Sequence, residues 1–271
     1  MKRRVIATTL LATCAFAGTT WAQQVEFRDP AGDDNGPGAY VYPTDAAYKE
    51  GSFDLSAFKV EKVGDKLNFE ATVNATLDDP WRTGSGFSVQ MLMIFIDQDH
   101  QPGSGFTEAL PGIDANFASD DAWDKAIILS PQSPDRVAKE IAAKAGRMKD
   151  AILLPSRTKG AGRKIYGSVP LADLGGDGDF THWGYQVVVQ SNEGFPAGSD
   201  LLTRRVNEEA SSQRFGGGND GTCDPNVVDV LAGQGIGDDG ETGAQHAMLG
   251  YECADDGSAE KTATLKMVRH R

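Results

Sequence analysis

The sequence has few cysteines, fewer basic than acidic residues, and no long apolar stretch beyond its N-terminus. Its 26 Lys and Arg stand against 39 Asp and Glu, a formal net charge of −13. A surface of this sign repels phosphate backbones, so we expect no nucleic-acid partner. After residue 22 no apolar run approaches the roughly 18 residues of a membrane span, so none is predicted.

Recognisable catalytic motifs are also missing. Neither G-x-S-x-G nor H-E-x-x-H occurs, and the four histidines are scattered along the chain. Carboxylates are numerous enough for a glycosidase pair, but they lie in Gly-rich segments typical of ion binding or solvent exposure. We therefore predict that the chain is not an enzyme.

The N-terminal segment 1–22 has the layout of a secretory signal peptide. It starts with three basic residues, continues with an apolar run over 5–17, and ends in small residues at Ala22. Cleavage after Ala22 would leave a periplasmic or secreted protein that is still more acidic than the full chain. It would also remove Cys14, one of the three cysteines.

The two remaining cysteines, Cys223 and Cys253, form an even pair in a chain predicted to be exported. Such a pair is most simply a disulfide. Closing a loop of this length stabilises a fold by roughly 3 to 4 kcal/mol in the chain-entropy model. Because no His or Cys cluster has metal-ligand spacing, we assign the pair a structural role.

The first segment after the predicted cleavage site is strongly acidic and rich in turn residues. Asp29–Asp45 reads DPAGDDNGPGAYVYPTD, with three glycines and three prolines. This density of Gly and Pro predicts a structured loop. Tight turns let several carboxylates converge, which suits a hard cation such as calcium. The alternative is a solvated acidic turn without an ion. The spacing is not that of an EF-hand.

Most of the chain carries strand patterns. Lys66–Val73 alternates apolar and polar residues, which indicates a half-buried strand, and Phe87–Ile96 is apolar on both faces, which indicates a central strand covered on both sides. A helix is predicted over Pro134–Asp150. Further strands are predicted over 123–129, 183–190 and 262–268, and 151–154 is expected to pair with 164–169. The pattern favours an all-β antiparallel sandwich with long Gly/Asp-rich loops and one short helical insertion.

Three segments resemble one known family: DPAGDDNGPGAYVYPTD at 29–45, GSFDLSAFKV at 51–60, and RRVNEEASSQRFGGGNDGTCDPNVVDVL at 204–231. They are similar to the C-terminal accessory module of bacterial glucodextranases, which also ends some amylopullulanases. That module is a β-sandwich of the DOMON-like, carbohydrate-binding-module type. The resemblance implies a non-catalytic, calcium-stabilised module, linked with α-glucan enzymes, that attaches to carbohydrate or to the cell surface.

The resemblance also implies which residues lie near cations. Five positions match loop residues of the family: Asp29, Asp33, Asp34, Asn35 and Asp220. A second acidic, Gly-rich turn over 97–105 adds Asp97 and Asp99 as predicted ligands of calcium. We divide the chain into a signal peptide (1–22), a sandwich (23–235) and a tail (236–271) with the final strand, which the disulfide ties back.

Carbohydrate binding requires aromatic rings beside hydrogen-bonding groups, because sugars combine apolar faces with polar edges. The predicted platforms are Tyr40, Tyr42, Trp81 and Trp123, with Trp81 preferred because it lies between polar turn residues. The expected partner is a polysaccharide or a glycan of the cell envelope. Since the chain shows no glycoside hydrolase domain, a separate hydrolase is a further expected partner.

The alternative function is electron transfer by a b-type haem, which some sandwiches of this broad superfamily hold. Met91 and Met93 on the predicted central strand and His182 are the candidate axial ligands. Covalent c-type haem is excluded because C-x-x-C-H does not occur. Methionine in an apolar strand more often fills the core, so this function ranks second.

Overall fold

The computed structural model describes residues 23–175, 178–196, 198–233 and 240–270; the predicted signal peptide, 1–22, lies outside them. Within these ranges most of the regular secondary structure is strand, with two α-helices, α1 (Pro134–Lys144) and α2 (Gly240–Leu249). The strands are β1 (Gln24–Arg28), β2 (Leu55–Val63), β3 (Lys66–Val73), β4 (Gln90–Asp97), β5 (Ala115–Phe117), β6 (Lys125–Leu129), β7 (Ile152–Leu153), β8 (Thr158–Ala161), β9 (Lys164–Pro170), β10 (Gly184–Ser191), β11 (Asp229–Val230), β12 (Glu252–Cys253), β13 (Ala259–Lys261), β14 (Ala263–Leu265) and β15 (Val268–Arg269).

The first sheet has the strand order β1-β2-β3-β9-β8 and is antiparallel throughout. Its central strand β3 covers the predicted range Lys66–Val73, and its apolar residues Leu67, Phe69, Ala71 and Val73 are all buried. The alternation therefore correctly identified a strand with one face on the core, as the period of two requires.

The second sheet has the order β11-β10-β4-β6-β7, and β15 also pairs with β10. Strand β11 lies beside residues 188–189 of β10 and β15 beside residues 184–185, so the two short strands share one edge. Every residue of β4 and of β10 is buried. This confirms the prediction that the apolar stretch ending at Ile96 is a central strand covered on both faces.

Two apolar clusters account for this double burial. One fills the space between the sheets and includes Phe58, Phe69 and Ile94. The other lies on the opposite face of the second sheet, beneath α1 and neighbouring loops, and includes Phe95 and Trp123. The predicted all-β sandwich is confirmed, with an additional layer over its second sheet.

Helix α1 forms where the sequence predicts a helix, and its ends have ordinary chemical causes. Ser133 caps the N-terminus by accepting a hydrogen bond from the amide of Arg136, and Pro134 occupies the first turn. Val137 and Ile141, one turn apart, face the second cluster. The helix continues as a 3₁₀ turn over Gly146–Ala151, so the predicted range to Asp150 is helical but not uniformly α.

Two local predictions are wrong, and one helix was missed. Residues 151–154 do not pair with 164–169: β7 lies parallel to β6, and β9 pairs with β8 instead. The predicted final strand over 262–268 is two strands, of which β14 runs parallel to β5 and only β15 joins a main sheet. Helix α2 was not predicted, because Gly and Asp dominate the sequence before it.

The predicted disulfide is present. Cys223 and Cys253 are bonded, with their Cα atoms 5.3 Å apart and a sequence separation of 30. The bond connects the loop before β11 to β12. In the described residues, no helix combines the length and apolar character needed to cross a bilayer.

The disulfide should contribute substantially to stability. We expect the double variant Cys223→Ala/Cys253→Ala to lower the free energy of unfolding by about 3 to 4 kcal/mol, because the unfolded chain regains the loop entropy. Denaturant unfolding of the oxidised protein measures this loss. Reductant should reproduce it in the wild type and have no further effect on the variant; equal stability of variant and wild type would contradict the prediction.

Candidate functional site

The opening loop folds back against one end of the sandwich. It leaves β1 at Asp29 and turns at Gly36, whose amide donates to the carbonyl of Val228 (2.8 Å) just before β11. Gly36 has a φ of +60°, and a Cβ there would lie 2.3 Å from the Tyr40 ring. Only glycine therefore suits this turn, which brings the loop to the second sheet.

Three aspartates meet where the loop reaches the sandwich. Carboxylate oxygens of Asp29, Asp33 and Asp229 lie within 4.8 Å of one another. Asp29 follows β1 in the first sheet, whereas Asp229 begins β11 in the second. Glu241, in the first turn of α2, approaches both Asp29 and Asp33. We call these four residues the acidic cluster; it joins both sheets and α2.

The oxygens of the acidic cluster are divided between two environments. Some accept hydrogen bonds from the protein: Asp229 Oδ2 accepts from the amide of Leu55 (2.6 Å), and Glu241 Oε1 from that of Ala232 (2.8 Å). The remaining oxygens are buried and have no donor among the described residues: both of Asp29, Oδ1 of Asp33, Oδ1 of Asp229 and Oε2 of Glu241. Buried polar atoms are nearly always paired, so a set of unpaired ones needs an explanation.

Asp54 adds a fifth carboxylate beside the acidic cluster. It directly precedes β2, and its Oδ2 accepts hydrogen bonds from the amide of Gly32 (2.8 Å) and from Asn74 (3.0 Å). Its Oδ1 is buried without a donor in the described structure. Acidic groups therefore extend from the cluster to the N-terminal end of β2.

Burial and mutual repulsion strongly disfavour the charged forms of these groups. Burial, reinforced by Asp229, Glu241 and Asp33, raises the pKa of Asp29 to about 12. Desolvation raises the pKa of Asp229 well above its usual range, with Asp33 adding to the effect. Burial also raises the pKa of Glu241 to about 7 and that of Asp54 to about 6. Among the described residues, none of the five carboxylates forms an ion pair.

Helix α2 is fastened to the opening loop by side chains on the turn after Glu241. Thr242 Oγ1 donates to Asp33 Oδ2 (3.3 Å), and Gln245 Nε2 donates to the carbonyls of Asp33 and Gly36. Gln245 Oε1 also accepts from the amide of Val230 (3.1 Å) in β11. One glutamine thus links the loop, the sheet and the helix around the acidic cluster.

The donor set fits a hard divalent cation. The converging groups are carboxylates, without a thiolate or imidazole, which suits calcium or magnesium rather than zinc or copper. The unpaired oxygens could serve as ligand atoms, because no described residue donates a hydrogen bond to them. Asp29, Asp33, Asp229 and Glu241 are the residues that would hold such an ion.

Other predicted cation ligands lie outside the acidic cluster. Asp34 accepts a hydrogen bond from Tyr42 Oη, and Asn35 Oδ1 is 3.1 Å from His246 Nε2. Asp220 is exposed and accepts from the amide of Glu208 (3.0 Å). Of the five residues named from the resemblance, the structure therefore brings only Asp29 and Asp33 together.

Two members of the acidic cluster were missed in the sequence. Asp229 carries a detectable signal, since a charged residue in the apolar run VVDVL is unusual for a buried strand. Glu241 carries none, because its role depends on a helix that the composition did not predict.

The second acidic turn forms a separate group with weaker indications of an ion. Asp97, Asp99 and Asp124 offer oxygens within 4.8 Å of one another, and Asp124 was not predicted. However, Asp97 Oδ2 is already paired with Arg269 (2.6 Å), and Asp99 accepts from the amide of Gln101 and from Ser104. These donors reduce the need for a cation.

The predicted sugar platforms differ sharply in exposure. Trp123 is fully buried, and its Nε1 donates to the carbonyl of Glu108 (2.9 Å), while the buried Tyr40 donates to the carbonyl of Pro225. Neither presents a ring face to a ligand, which corrects their assignment as platforms. Tyr42 is partly buried against Phe215. Trp81 retains 37% of its surface exposed.

The candidate haem ligands are not arranged around a haem. Met91 and Met93 have no exposed surface and pack within the second apolar cluster. His182 is exposed in a turn, where its Nδ1 lies 3.0 Å from Asp179 Oδ2. A haem needs space beside its axial ligands, whereas these methionines are completely packed, so the structure offers this alternative no support.

Comparison with known proteins gives one family. The family model described as the C-terminal binding module, SLH-like, of glucodextranase matches residues 25–268. The match runs from β1 to the start of β15 and includes all four residues of the acidic cluster. No curated protein matches the chain.

The raised pKa values predict how the ion-free protein responds to pH. The folded state holds protons on Glu241 and Asp54 that the unfolded state releases, so their contribution to stability is complete below the unfolded values of 4.5 and 3.8. It is lost as pH rises through the folded values of about 7 and 6. With a chelator present, we therefore expect the melting temperature to fall between about pH 5 and pH 8.

Thermal melts followed by circular dichroism measure this dependence. The variant Glu241→Gln should show a shallower fall, because it removes the group that titrates near neutral pH. A melting temperature that rises between about pH 5 and pH 8 with chelator present would contradict the raised pKa values of Glu241 and Asp54.

Proposed function

Because the chain belongs to the family of C-terminal, SLH-like binding modules of glucodextranase, we propose that it is an exported, non-catalytic module that is stabilised by calcium and binds a glycan. Attachment to glycans of the cell envelope is included in this proposal. The observation that carries the calcium assignment is the set of buried, unpaired carboxylate oxygens in the acidic cluster.

Calcium would resolve the electrostatic conflict of the cluster. Ca²⁺ takes about six to eight oxygen ligands at roughly 2.3 to 2.6 Å and tolerates irregular geometry. Asp29, Asp33, Asp229 and Glu241 supply oxygens that no donor in the described part of the chain satisfies. The positive ion would keep these groups ionised despite their burial, reversing the upward pKa shifts. Magnesium is a poorer fit because it requires near-octahedral geometry and retains water.

The ion would act on stability rather than on chemistry. The acidic cluster contains residues from the end of β1, from β11 and from α2, which are distant in sequence. A shared ion would tie these segments together, as the disulfide ties the loop before β11 to β12. Because the unpaired oxygens of the cluster are buried among the described residues, we assign them a structural rather than a catalytic role.

Glycan binding rests on the family and on the exposed Trp81. A binding module needs a ring that sugars can reach, and of the four predicted platforms Trp81 is the one with a substantially exposed surface. Export rests on the layout of residues 1–22 and on the disulfide, since disulfides persist in oxidising compartments. The α-glucan class follows from the resemblance to glucodextranase modules.

Calcium should raise the melting temperature measurably. At a free concentration about 1,000 times Kd, binding to the folded state adds about 4 kcal/mol. For a chain of this size this corresponds to roughly 10 °C. The shift between chelator and calcium, followed by circular dichroism, should grow with calcium concentration. Identical melting in both conditions would contradict the proposal.

The variant Asp229→Asn separates an ion ligand from a structural residue within the same experiment. Asparagine keeps an acceptor for the amide of Leu55 but removes a carboxyl group whose charged form burial disfavours, so the variant should melt at or above the wild-type temperature with chelator and lose most of the calcium shift. Asp220→Asn is the matched control, because Asp220 is exposed outside the cluster. Equal destabilisation of Asp229→Asn in both conditions would show that Asp229 is only structural.

Glycan binding is tested by affinity electrophoresis of the mature protein. Gels containing soluble starch, pullulan or dextran should retard the protein in calcium and retard it less with chelator. Unchanged mobility in all three would remove α-glucans as ligands.

A further inference from the structure

Phe195 is the most exposed large apolar side chain in the described structure, with 93% of its surface accessible. It lies near the tip of a hairpin whose arms, Ser191–Glu193 and Leu202–Arg204, are joined by backbone hydrogen bonds. The amide of Glu193 donates to Leu202 (2.7 Å), and that of Arg204 to Ser191 (2.9 Å). An anchored hairpin thus presents an aromatic ring to solvent. A single exposed apolar residue is ordinary, so the significance of Phe195 depends on the second exposed aromatic residue beside it, Trp81.

The loop that carries Trp81 is also held in place by hydrogen bonds. Asp79 accepts hydrogen bonds from the amides of Thr83 and Gly84 (2.8 Å each), and Ser88 Oγ accepts from the amide of Trp81 (3.3 Å). Arg82, which follows the tryptophan, has a φ of +54°, a left-handed conformation that is strained for a residue other than glycine. Such strain is concentrated at functional sites, where surrounding contacts maintain it.

The Trp81 loop and the Phe195 hairpin are in direct contact. The amide of Asn192 donates to the carbonyl of Val89 (2.7 Å), and Asn192 Nδ2 donates to that of Ser88 (3.1 Å). One arm of the hairpin therefore lies along the end of the tryptophan loop. Because both segments are fixed to each other by hydrogen bonds, the two rings belong to one part of the surface.

An ion pair lies between the two aromatic residues. The guanidinium carbon of Arg204 is 5.4 Å from the centre of the Trp81 ring, and Arg204 Nε is 3.1 Å from Glu193 Oε2. The amide of Phe195 donates to Glu193 Oε1 (3.0 Å). Trp81 and Phe195 are thus connected through two charged side chains.

Arg204 also fixes which face of Trp81 is available. Only 7% of Arg204 is exposed, and its Nη1 donates to Tyr48 Oη (2.9 Å) and to Gln213 Oε1 (3.0 Å). This buried, ion-paired guanidinium contacts one face of the ring through a cation–π interaction. The exposed surface of the ring can therefore accept a ligand without reorganisation, which improves affinity.

We propose that Trp81 and Phe195 form one glycan-binding site, in which an α-glucan chain stacks on both rings and hydrogen-bonds to the polar groups between them. This inference rests on the proposed glycan-binding function and adds the place and the minimum ligand. The ligand is an oligosaccharide rather than a single sugar, because one sugar ring covers one aromatic ring.

Polar groups beside the rings favour a sugar over other occupants. Glu193 is engaged by Phe195 and Arg204, whereas Arg214, whose Nη2 is 3.7 Å from Glu193 Oε2 and whose side chain is 37% exposed, can donate hydrogen bonds to sugar hydroxyls. Sugars present apolar faces and hydroxyl edges, and this arrangement offers complements to both. The strongly acidic chain would be repelled by anionic lipid surfaces, so Phe195 is not suited to membrane insertion there.

The test is isothermal titration in calcium with malto- and isomalto-oligosaccharides of two and seven units. We expect the longer sugars to bind at least about tenfold more tightly, and Phe195→Ala to remove this advantage while leaving the melting temperature unchanged. Trp81→Ala should weaken both lengths about tenfold or more. The conservative variants Trp81→Phe and Phe195→Tyr should retain most of the affinity. Tyr166→Ala, on the outer face of the first sheet, is the matched aromatic control.

The outcomes distinguish failure of the Trp81–Phe195 site from failure of the proposed glycan-binding function. If the wild type binds glucans and both Trp81→Ala and Phe195→Ala bind equally well, the site is elsewhere, and the inference fails while the proposed function stands. If the wild type binds neither series, both fail. If Trp81→Ala binds more weakly but also melts at a lower temperature, its loss of affinity could come from unfolding. Phe195→Ala then decides the matter, because its exposed ring makes no contribution to the core. Loss of binding to vesicles or to a protein in Phe195→Ala, with glucan affinity intact, would assign the ring to that partner and overturn the inference.

Discussion

Repulsion among the buried carboxylates of Asp29, Asp33, Asp229 and Glu241 is the constraint on which this end of the molecule depends. Charges removed from water and placed within a few ångströms of one another are tolerated only if they bind protons or a cation. The same four residues connect β1, β11 and α2. The proton or cation that neutralises these carboxylates therefore also determines how strongly the opening loop and α2 are held on the sandwich.

The sandwich supplies the rigid frame for both surfaces discussed above. Packing extends from one to the other: Phe53, which precedes Asp54, stacks on Tyr48 with ring centres 5.9 Å apart, and Tyr48 Oη accepts from Arg204 beneath Trp81. The acidic cluster and the aromatic surface are thus supported by a common set of buried side chains. In such a module the buried residues provide stability, and the exposed aromatic residues are available for binding.

Local patterns were reliable wherever a single element decides the outcome. Two strands were predicted correctly: 66–73 from its alternation, because one face of that strand is buried, and the apolar run ending at Ile96, because both faces of that strand are buried. The pairing of 151–154 with 164–169 was predicted wrongly, since strand partners depend on chain direction through the whole sheet. Helix α2 was not predicted because the sequence before it is rich in Gly, which disfavours a helix. Its packing on the opening loop stabilises the helix instead.

The sequence by itself determined the sandwich class, the disulfide and the acidic, turn-rich character of the opening loop, because these follow from composition, spacing and periodicity. Only the tertiary structure decided which acidic residues meet: it joined Asp229 and Glu241 to Asp29 and left Asp220 exposed outside the cluster. It also decided which aromatics are available, burying Trp123 and displaying Phe195. The physical reason is that convergence and exposure are set by contacts between segments far apart in the chain, which no local pattern encodes.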